Sequence, residues 1–349
     1  MNNIRDTTKN KYYNGKQILS YGTPFLFSLG NRSIGKSFYW TERCINKYLR
    51  DGKKFIYMRR YDDDLKRVAP SFFDNVAFKH PDLTLTVGGN GKSGSPLYIN
   101  GEQAGITVAL SAANKYKSVG MADYDTIFFD EFLPENGEYL PTEVANALSF
   151  YQSVARGYGQ VIREEVKFVF VANNVTLNNP YFRELGIRDK VRFDTRYTCD
   201  ADRAWVVELT NNAEIASEIA KTPFGKMIAK TKYGDYALKS QFYLDDSTFV
   251  QKPKGASKYY CTLEWAGKAY GLYEYSEEGL IYISNKVDPN CKLVFSMSTA
   301  DHKPNYVMLY KARYNPIMDF IRYAYDNALL RFENDECKFM FMDFMSYRV

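Results

Sequence analysis

Gly30-Asn31-Arg32-Ser33-Ile34-Gly35-Lys36-Ser37 reads GNRSIGKS, and this octet decides the fold. A glycine, four residues, then Gly-Lys-Ser is the spacing of a phosphate-binding loop, whose backbone amides face phosphate oxygens at a helix N-terminus. The spacing carries meaning only between a buried strand and a helix, and both are legible. Pro24 to Leu29 (PFLFSL) is a short apolar run suited to a buried strand. After the loop, Trp40, Cys44, Ile45, Tyr48 and Leu49 recur near helical spacing between Ser37 and Arg50, and Gly52 supplies a stop. Lys54 to Met58 (KFIYM) reads as a second strand. Strand, loop, helix, strand predicts a βαβ unit. The expected ligand is a nucleoside triphosphate, ATP, with Mg²⁺. Gly30, Asn31, Arg32, Ser33, Ile34 and Gly35 form the cradle, Lys36 reaches the β and γ phosphates, and Ser37 holds the metal.

A second Gly-Lys-Ser, at Gly91, Lys92 and Ser93, fails the same tests. Thr86 stands where the first glycine is needed, and Gly94-Ser95-Pro96 does not readily open a long helix. Leu83 to Val87 and Leu97 to Ile99 are strand-like, so residues 88–96 are expected to join two antiparallel strands.

What happens to the phosphate is set further along. Tyr124-Asp125-Thr126-Ile127-Phe128-Phe129-Asp130-Glu131 is an apolar strand ending in two carboxylates. Asp130 suits the acid that serves Mg²⁺, and Glu131, pointing differently, can orient and deprotonate a water in line with the γ phosphate. An acid aimed at water predicts hydrolysis. Lys167 to Ala172 (KFVFVA) is a third strand, ending at Asn173. Ligands of open α/β sheets gather at the carboxyl ends of the strands, so Asn173 stands where a phosphate sensor would; a turn-forming asparagine is the competing reading.

Composition narrows the class. The chain has 349 residues, 45% of them hydrophobic, and a formal net charge of +5, which permits a polyanionic partner without demanding one. Five cysteines without metal-ligand spacing read as reduced thiols, and His80 and His302 are too few for histidine-based metal or triad chemistry. The start, MNNIRDTTKN, lacks an apolar signal core, and no apolar run is long enough to span a bilayer.

GNRSIGKS, TIFFDEF, VFVANN and Asn179-Pro180-Tyr181-Phe182, in that order and spacing, resemble the DNA-packaging ATPases of small tailed bacteriophages of the phi-twenty-nine type, within the wider large-terminase group. The likeness covers most of the chain, including Phe55 to Tyr61 (FIYMRRY). It implies a homo-oligomeric ring, pentameric in that group, docked at the portal of an empty procapsid in the host cytoplasm. Such a ring drives double-stranded DNA inward, in some cases with a packaging RNA and without contact to a membrane. It implies roles by position: Arg32 as the arginine kept inside the phosphate loop, Lys36, Ser37, Asp130 and Glu131 as the Walker residues, and Asn173 at a coupling motif. Arg156 matches an arginine finger given to the neighbouring subunit, a surface arginine being the plainer alternative. Lys117 matches a second trans-acting base. Tyr158 and Gln160 depart from basic residues that follow the finger, and Ala172 from a usual serine. A motor cannot depend on sequence, so DNA contacts should go to phosphates. Lys66, Arg67 and Lys92 are candidates, against the reading that each is a solvated surface charge.

The expected fold is α/β. A P-loop NTPase domain of ASCE/RecA-like type, a parallel sheet flanked by helices, spans 1–200. A helical linker spans 201–235, with helical pieces at Ala213 to Ala220 and from Pro223 to Ile228. A smaller α+β, RNase H-like domain spans 236–349, with strands at 259–265, 268–275, 280–284 and 292–296 and a helix starting at Pro316 behind Asn315. A two-metal nuclease needs converging carboxylates. Glu264 is the one acid on the first of these strands, with Asp301 and Asp343 elsewhere, so cleavage activity is not expected. The alternatives to a translocating ATPase are a packaging protein with an active nuclease, or a soluble kinase.

Overall fold

The computed structural model describes residues 12–346 apart from 90–93, 117–119, 158, 160, 189, 192–194, 232, 235–248, 266, 297–298, 300 and 309–315, with backbone alone at 318 and 343–346. The chain divides into two compact units, Met1–Asp245 and Asp246–Val349. No helix of the described residues is long and apolar enough to cross a membrane.

In the first unit the order is α1 (Lys16–Ser20), β1 (Phe25–Gly30), α2 (Lys36–Asp51), β2 (Lys54–Arg59), α3 (Asp62–Val68), β3 (Leu85–Val87), β4 (Pro96–Ile99), β5 (Glu102–Ala109) and β6 (Tyr124–Asp130). There follow α4 (Glu143–Ala155), β7 (Lys167–Asn173), α5 (Pro180–Glu184), β8 (Tyr197–Cys199), β9 (Trp205–Thr210), α6 (Ala213–Lys221) and α7 (Pro223–Ile228). Nine strands form one sheet in the order β3-β4-β5-β2-β6-β7-β1-β9-β8. The six from β5 to β9 run parallel. β7 stands between β1 and β6, the inserted strand that marks the ASCE class. Register brings Gly30 opposite Asn173, and Asp130 opposite Val171, so the loop and both acids share the carboxyl edge.

Side-chain alternation along these strands builds two cores, as a sheet covered on both faces requires. Phe27, Ile56, Phe129 and Phe170 face α4 through Ala147, Phe150 and Val154. Leu26, Tyr57, Phe128 and Val171 face α2 through Trp40, Cys44 and Ile45. α2 ends as its sequence predicts, with Gly52 at φ 66 donating its N–H to the Tyr48 carbonyl.

Two expectations meet the structure differently. Residues 205–210 lie within the span read as a helical linker, yet they form β9, paired along its whole length with β1. The helices expected after it are present: α6 is capped by Asn212 and α7 by Thr222, whose side chains accept from the N–H groups of Ile215 and Gly225. Around the second Gly-Lys-Ser, β3 and β4 pair antiparallel, with Leu85 opposite Ile99. Gly94 lies so close to β5 that a Cβ would sit 1.8 Å from the Thr107 carbonyl oxygen. No helix opens after this tripeptide, and Lys92 lies outside the described residues.

The second unit carries β10 (Lys258–Trp265), β11 (Lys268–Tyr275), β12 (Leu280–Ser284), β13 (Val294–Ser296), β14 (Val307–Met308), α8 (Pro316–Asp326), β15 (Leu330–Phe332) and α9 (Asp335–Ser346). Its sheet runs β14-β13-β10-β11-β12-β15. β10, β11 and β12 form an antiparallel meander, while β13 and β14 add parallel to β10. That is the RNase H-like strand pattern, extended here by β15 alongside β12. Ile321 and Ala324 of α8 and Cys337, Met340 and Phe341 of α9 close the core over Cys261, Leu263, Leu272 and Ile283.

Candidate nucleotide site

The loop leaves β1 at Gly30 and turns through Ser33 at φ 63 and Gly35 at φ 91 before α2 begins at Lys36. The left-handed Gly35 is a position where a side chain is strained, and it directs the first amides of α2 toward the cradle. Lys36 is buried, and its Nζ donates to the carbonyls of Gly30 at 2.8 Å and Asn31 at 2.7 Å. Burial pushes its ammonium down to about 7, against the attraction of Asp130 and Glu208.

Ser37 Oγ donates to Asp130 Oδ1 at 2.9 Å, which ties the head of α2 to the tip of β6. Burial raises the Asp130 carboxyl above its ordinary range, with Arg59 pulling the other way. Arg59, the last residue of β2, spans both acids: Nη1 lies 3.5 Å from Asp130 Oδ2 and Nη2 lies 2.6 Å from Glu131 Oε2. Tyr57, two residues earlier on the same face, brings its hydroxyl to 3.5 Å from Asp130 Oδ2. Glu131 is largely exposed and sits at φ 56. This left-handed turn separates it from Asp130 in direction. The donor set fits a magnesium nucleotide: a hydroxyl paired with a carboxylate at the loop, and a buried lysine held by the loop's own carbonyls.

The remaining sequence-named residues fall in several places. Arg32 pairs with Glu135 at 3.3 Å and donates to the Tyr233 hydroxyl at 3.2 Å. Asn173 ends β7 opposite Gly30, and the next residue, Asn174, donates from Nδ2 to Asn31 Oδ1 at 3.2 Å. Arg156 caps the C-terminus of α4 and is exposed. Gly157, beside it, packs against Ala122, just ahead of β6. Arg156 therefore lies at the amino edge of the sheet, about 20 Å along β6 from Asp130 at ~3.3 Å per residue. Lys117, Tyr158 and Gln160 lie outside the described residues.

Lys66 and Arg67 are engaged on their own helix. Lys66 pairs with Asp62 at 2.6 Å and Arg67 with Asp64 at 2.7 Å. These are exposed pairs within one helix, which offset part of the charge locally. Sequence reasoning gave no role to Arg59, Arg60, Glu143 or Asn174. The Arg59-Arg60 pair at a strand's end was the visible signal.

In the second unit Glu264 is buried on β10 and forms an ion pair with Lys303. Its neighbour across the sheet is Ser296, which lies 3.0 Å from His302 Nδ1. Asp301 accepts the Gly267 N–H at 2.8 Å.

Comparisons with known proteins bear on the chain as a whole. A family model described as Podovirus DNA encapsidation protein (Gp16) matches residues 7–349. The DNA packaging protein of Bacillus phage phi29 is 33% identical over 328 residues, covering 93% of this chain and 94% of the relative. The chain from the bacteriophage phi29 viral genome packaging motor assembly superposes with a TM-score of 0.74 at 30% identity, over 97% of this chain and 99% of that one. The N-terminal domain of the phi29 DNA packaging ATPase matches with a TM-score of 0.52 at 32% identity, over 59% of this chain and 99% of that one. A phosphate loop, two acids across an inserted strand and an RNase H-like second unit thus sit in a chain that belongs to the podovirus DNA encapsidation protein (Gp16) family.

Proposed function

We infer that the chain is an ATP-hydrolysing motor that moves double-stranded viral DNA into a capsid. The observation that carries this reading is the Ser37–Asp130 hydrogen bond, which closes the loop against the acid pair. Lys36 would leave the loop carbonyls for the β and γ phosphates. Ser37 and Asp130 would hold Mg²⁺, which supplies charge neutralisation at the phosphates when bound. Glu131 Oε2 would take the proton of the attacking water; Arg59 occupies that oxygen at 2.6 Å, so Glu131 leaves this ion pair before it acts. Asn174, through Asn31, links the end of β7 to the loop.

Arg156 serves a neighbouring copy. Its place at the amino edge of its own sheet keeps it from its own nucleotide, and an exposed arginine there is free to meet another subunit's phosphates. Such a finger contributes roughly 10³–10⁵ in rate and makes hydrolysis depend on a closed ring of copies. DNA backbone, the capsid portal and, by family likeness, a packaging RNA are the other partners, met in the host cytoplasm at the procapsid. The second unit binds rather than cuts: Lys303 neutralises the one acid on β10, leaving no converging set there among the described residues.

Phosphate release measured across a protein concentration series, with and without duplex DNA, tests the reading. Release should rise more than linearly with protein and rise further with DNA. Glu131→Gln should abolish it while nucleotide binding persists. Linear release indifferent to DNA, or phosphate appearing on an acceptor, would overturn it.

A further inference from the structure

Arg60 follows β2 directly and is buried, as is Glu143, the first residue of α4. Arg60 Nε lies 2.8 Å from Glu143 Oε2, and Nη2 lies 2.9 Å from Oε1. The carboxylate also accepts from the Tyr181 hydroxyl at 2.9 Å and the Leu140 N–H at 2.8 Å. Rings of Phe129 and Tyr139 flank the guanidinium at 5.7 and 5.2 Å. A buried ion pair this well satisfied seldom stabilises a fold more than packed hydrophobic side chains would. Its value must be sought in what it positions.

The answer lies in the rest of the guanidinium. Nη2 donates to the Phe132 carbonyl at 2.5 Å and Nη1 to the Glu131 carbonyl at 3.4 Å. Glu131 and Thr142 are non-glycine residues at φ 56 and φ 55, so the loop from 131 to 142 begins and ends in backbone that resists its own conformation. Such strain persists only where the surroundings over-determine it, and it concentrates at working sites. Arg60 touches both ends of this loop: the carbonyls after β6 and the carboxylate that opens α4.

We propose that Arg60 and Glu143 are positioning residues that hold the left-handed turn at Glu131, and with it the direction in which Glu131 points toward water. The proposal rests on Glu131 as the base. Arg60 acts through the backbone of the catalytic turn and does not reach the nucleotide. Only a guanidinium has enough donors to grip a carboxylate side-on and still reach two carbonyls.

Arg60→Lys keeps the charge against Glu143 and loses the fork. A turn misplaced by about 1 Å costs roughly 10²-fold in rate, so kcat should fall by about that factor at a temperature where the variant is fully folded, with nucleotide Kd near that of the unaltered protein, while Tm falls because buried acceptors lose donors. A triple replacement, Arg60→Met with Glu143→Met and Tyr181→Phe, removes the polar groups together and should fold yet show the same loss. An unaltered kcat in folded Arg60→Lys overturns the proposal, as does a loss of kcat matched by an equal loss of nucleotide affinity. Glu131→Gln alone, if it keeps hydrolysing, overturns the reading of the base and is told apart because it leaves Arg60 untouched.

Discussion

At the scale of single residues the site is organised by burial and by donors that outnumber their charges. Lys36 shows this most directly. Burial pushes its ammonium down to about 7, which predicts a substantial neutral fraction at pH 8. Phosphate oxygens favour the charged form, so nucleotide binding at pH 8 should take up a proton, and binding at pH 6 should take up little. Titration calorimetry in two buffers of different ionisation enthalpy measures this, with Lys36→Met as the variant that loses it. Equal heats in both buffers at pH 8 would contradict the depressed value. Legibility at this scale was uneven. Lys36, Ser37, Asp130 and Glu131 were readable because a phosphate loop and a strand-end acid pair demand those residue types at those places. Arg59 and Asn174 were not, because an arginine at a strand end or the second of two asparagines has no spacing rule. Each acquires its partner only when β2 and β7 are laid beside β6 and β1.

At the scale of elements the deciding contact is β1 against β9. Gly30 lies opposite Thr210, and a Cβ on it would come within 2.8 Å of the Thr210 carbonyl oxygen and 2.9 Å of Ile34. A backbone carbonyl does not yield as a flexible side chain does. Gly30→Ala should therefore lower unfolding stability by about 1–3 kcal/mol, the usual cost of overpacking, and weaken nucleotide binding. Urea unfolding and nucleotide titration read the two effects; an unchanged urea midpoint would show that β9 moves freely. β9 was placed in a helical linker because the amphipathic pattern beginning at Ala213 dominates its neighbourhood. Trp205 to Thr210 (WVVELT) is a buried parallel strand, and such strands show an apolar run without a period of their own. α4 went unread at the sequence level for a related reason: its apolar residues serve a phenylalanine-rich sheet face, and its N-cap Thr142 makes no side-chain capping bond.

At the scale of the whole molecule the claim is that copies act on one another. Arg156 stands at the edge of the sheet away from its own loop, so the finger role proposed for it requires another chain. Rings assembled from a mixture of Arg156→Ala and Glu131→Gln chains should recover part of the hydrolysis that either variant lacks alone. Some adjacent pairs then join an intact finger to an intact base. No recovery at any mixing ratio would return Arg156 to the ordinary surface. For the second unit, the Glu264–Lys303 pair predicts that the full-length protein leaves supercoiled plasmid intact in Mg²⁺ or Mn²⁺. Accumulation of nicked circles, removed by Glu264→Gln, would show a working nuclease.

The amino-acid string alone settled the phosphate loop, the acid pair, the hairpin character of the second Gly-Lys-Ser and the meander of the second unit, because each is local. Strand period, glycine conformation and carboxylate placement act within a few residues of one another. The insertion of β7 between β1 and β6, the capture of β9 by the first sheet, and the grip of Arg60 on Glu143 across 83 positions came only with the assembled structure. Those contacts depend on which strands lie side by side, and parallel pairing joins segments whose separation along the chain no local pattern records.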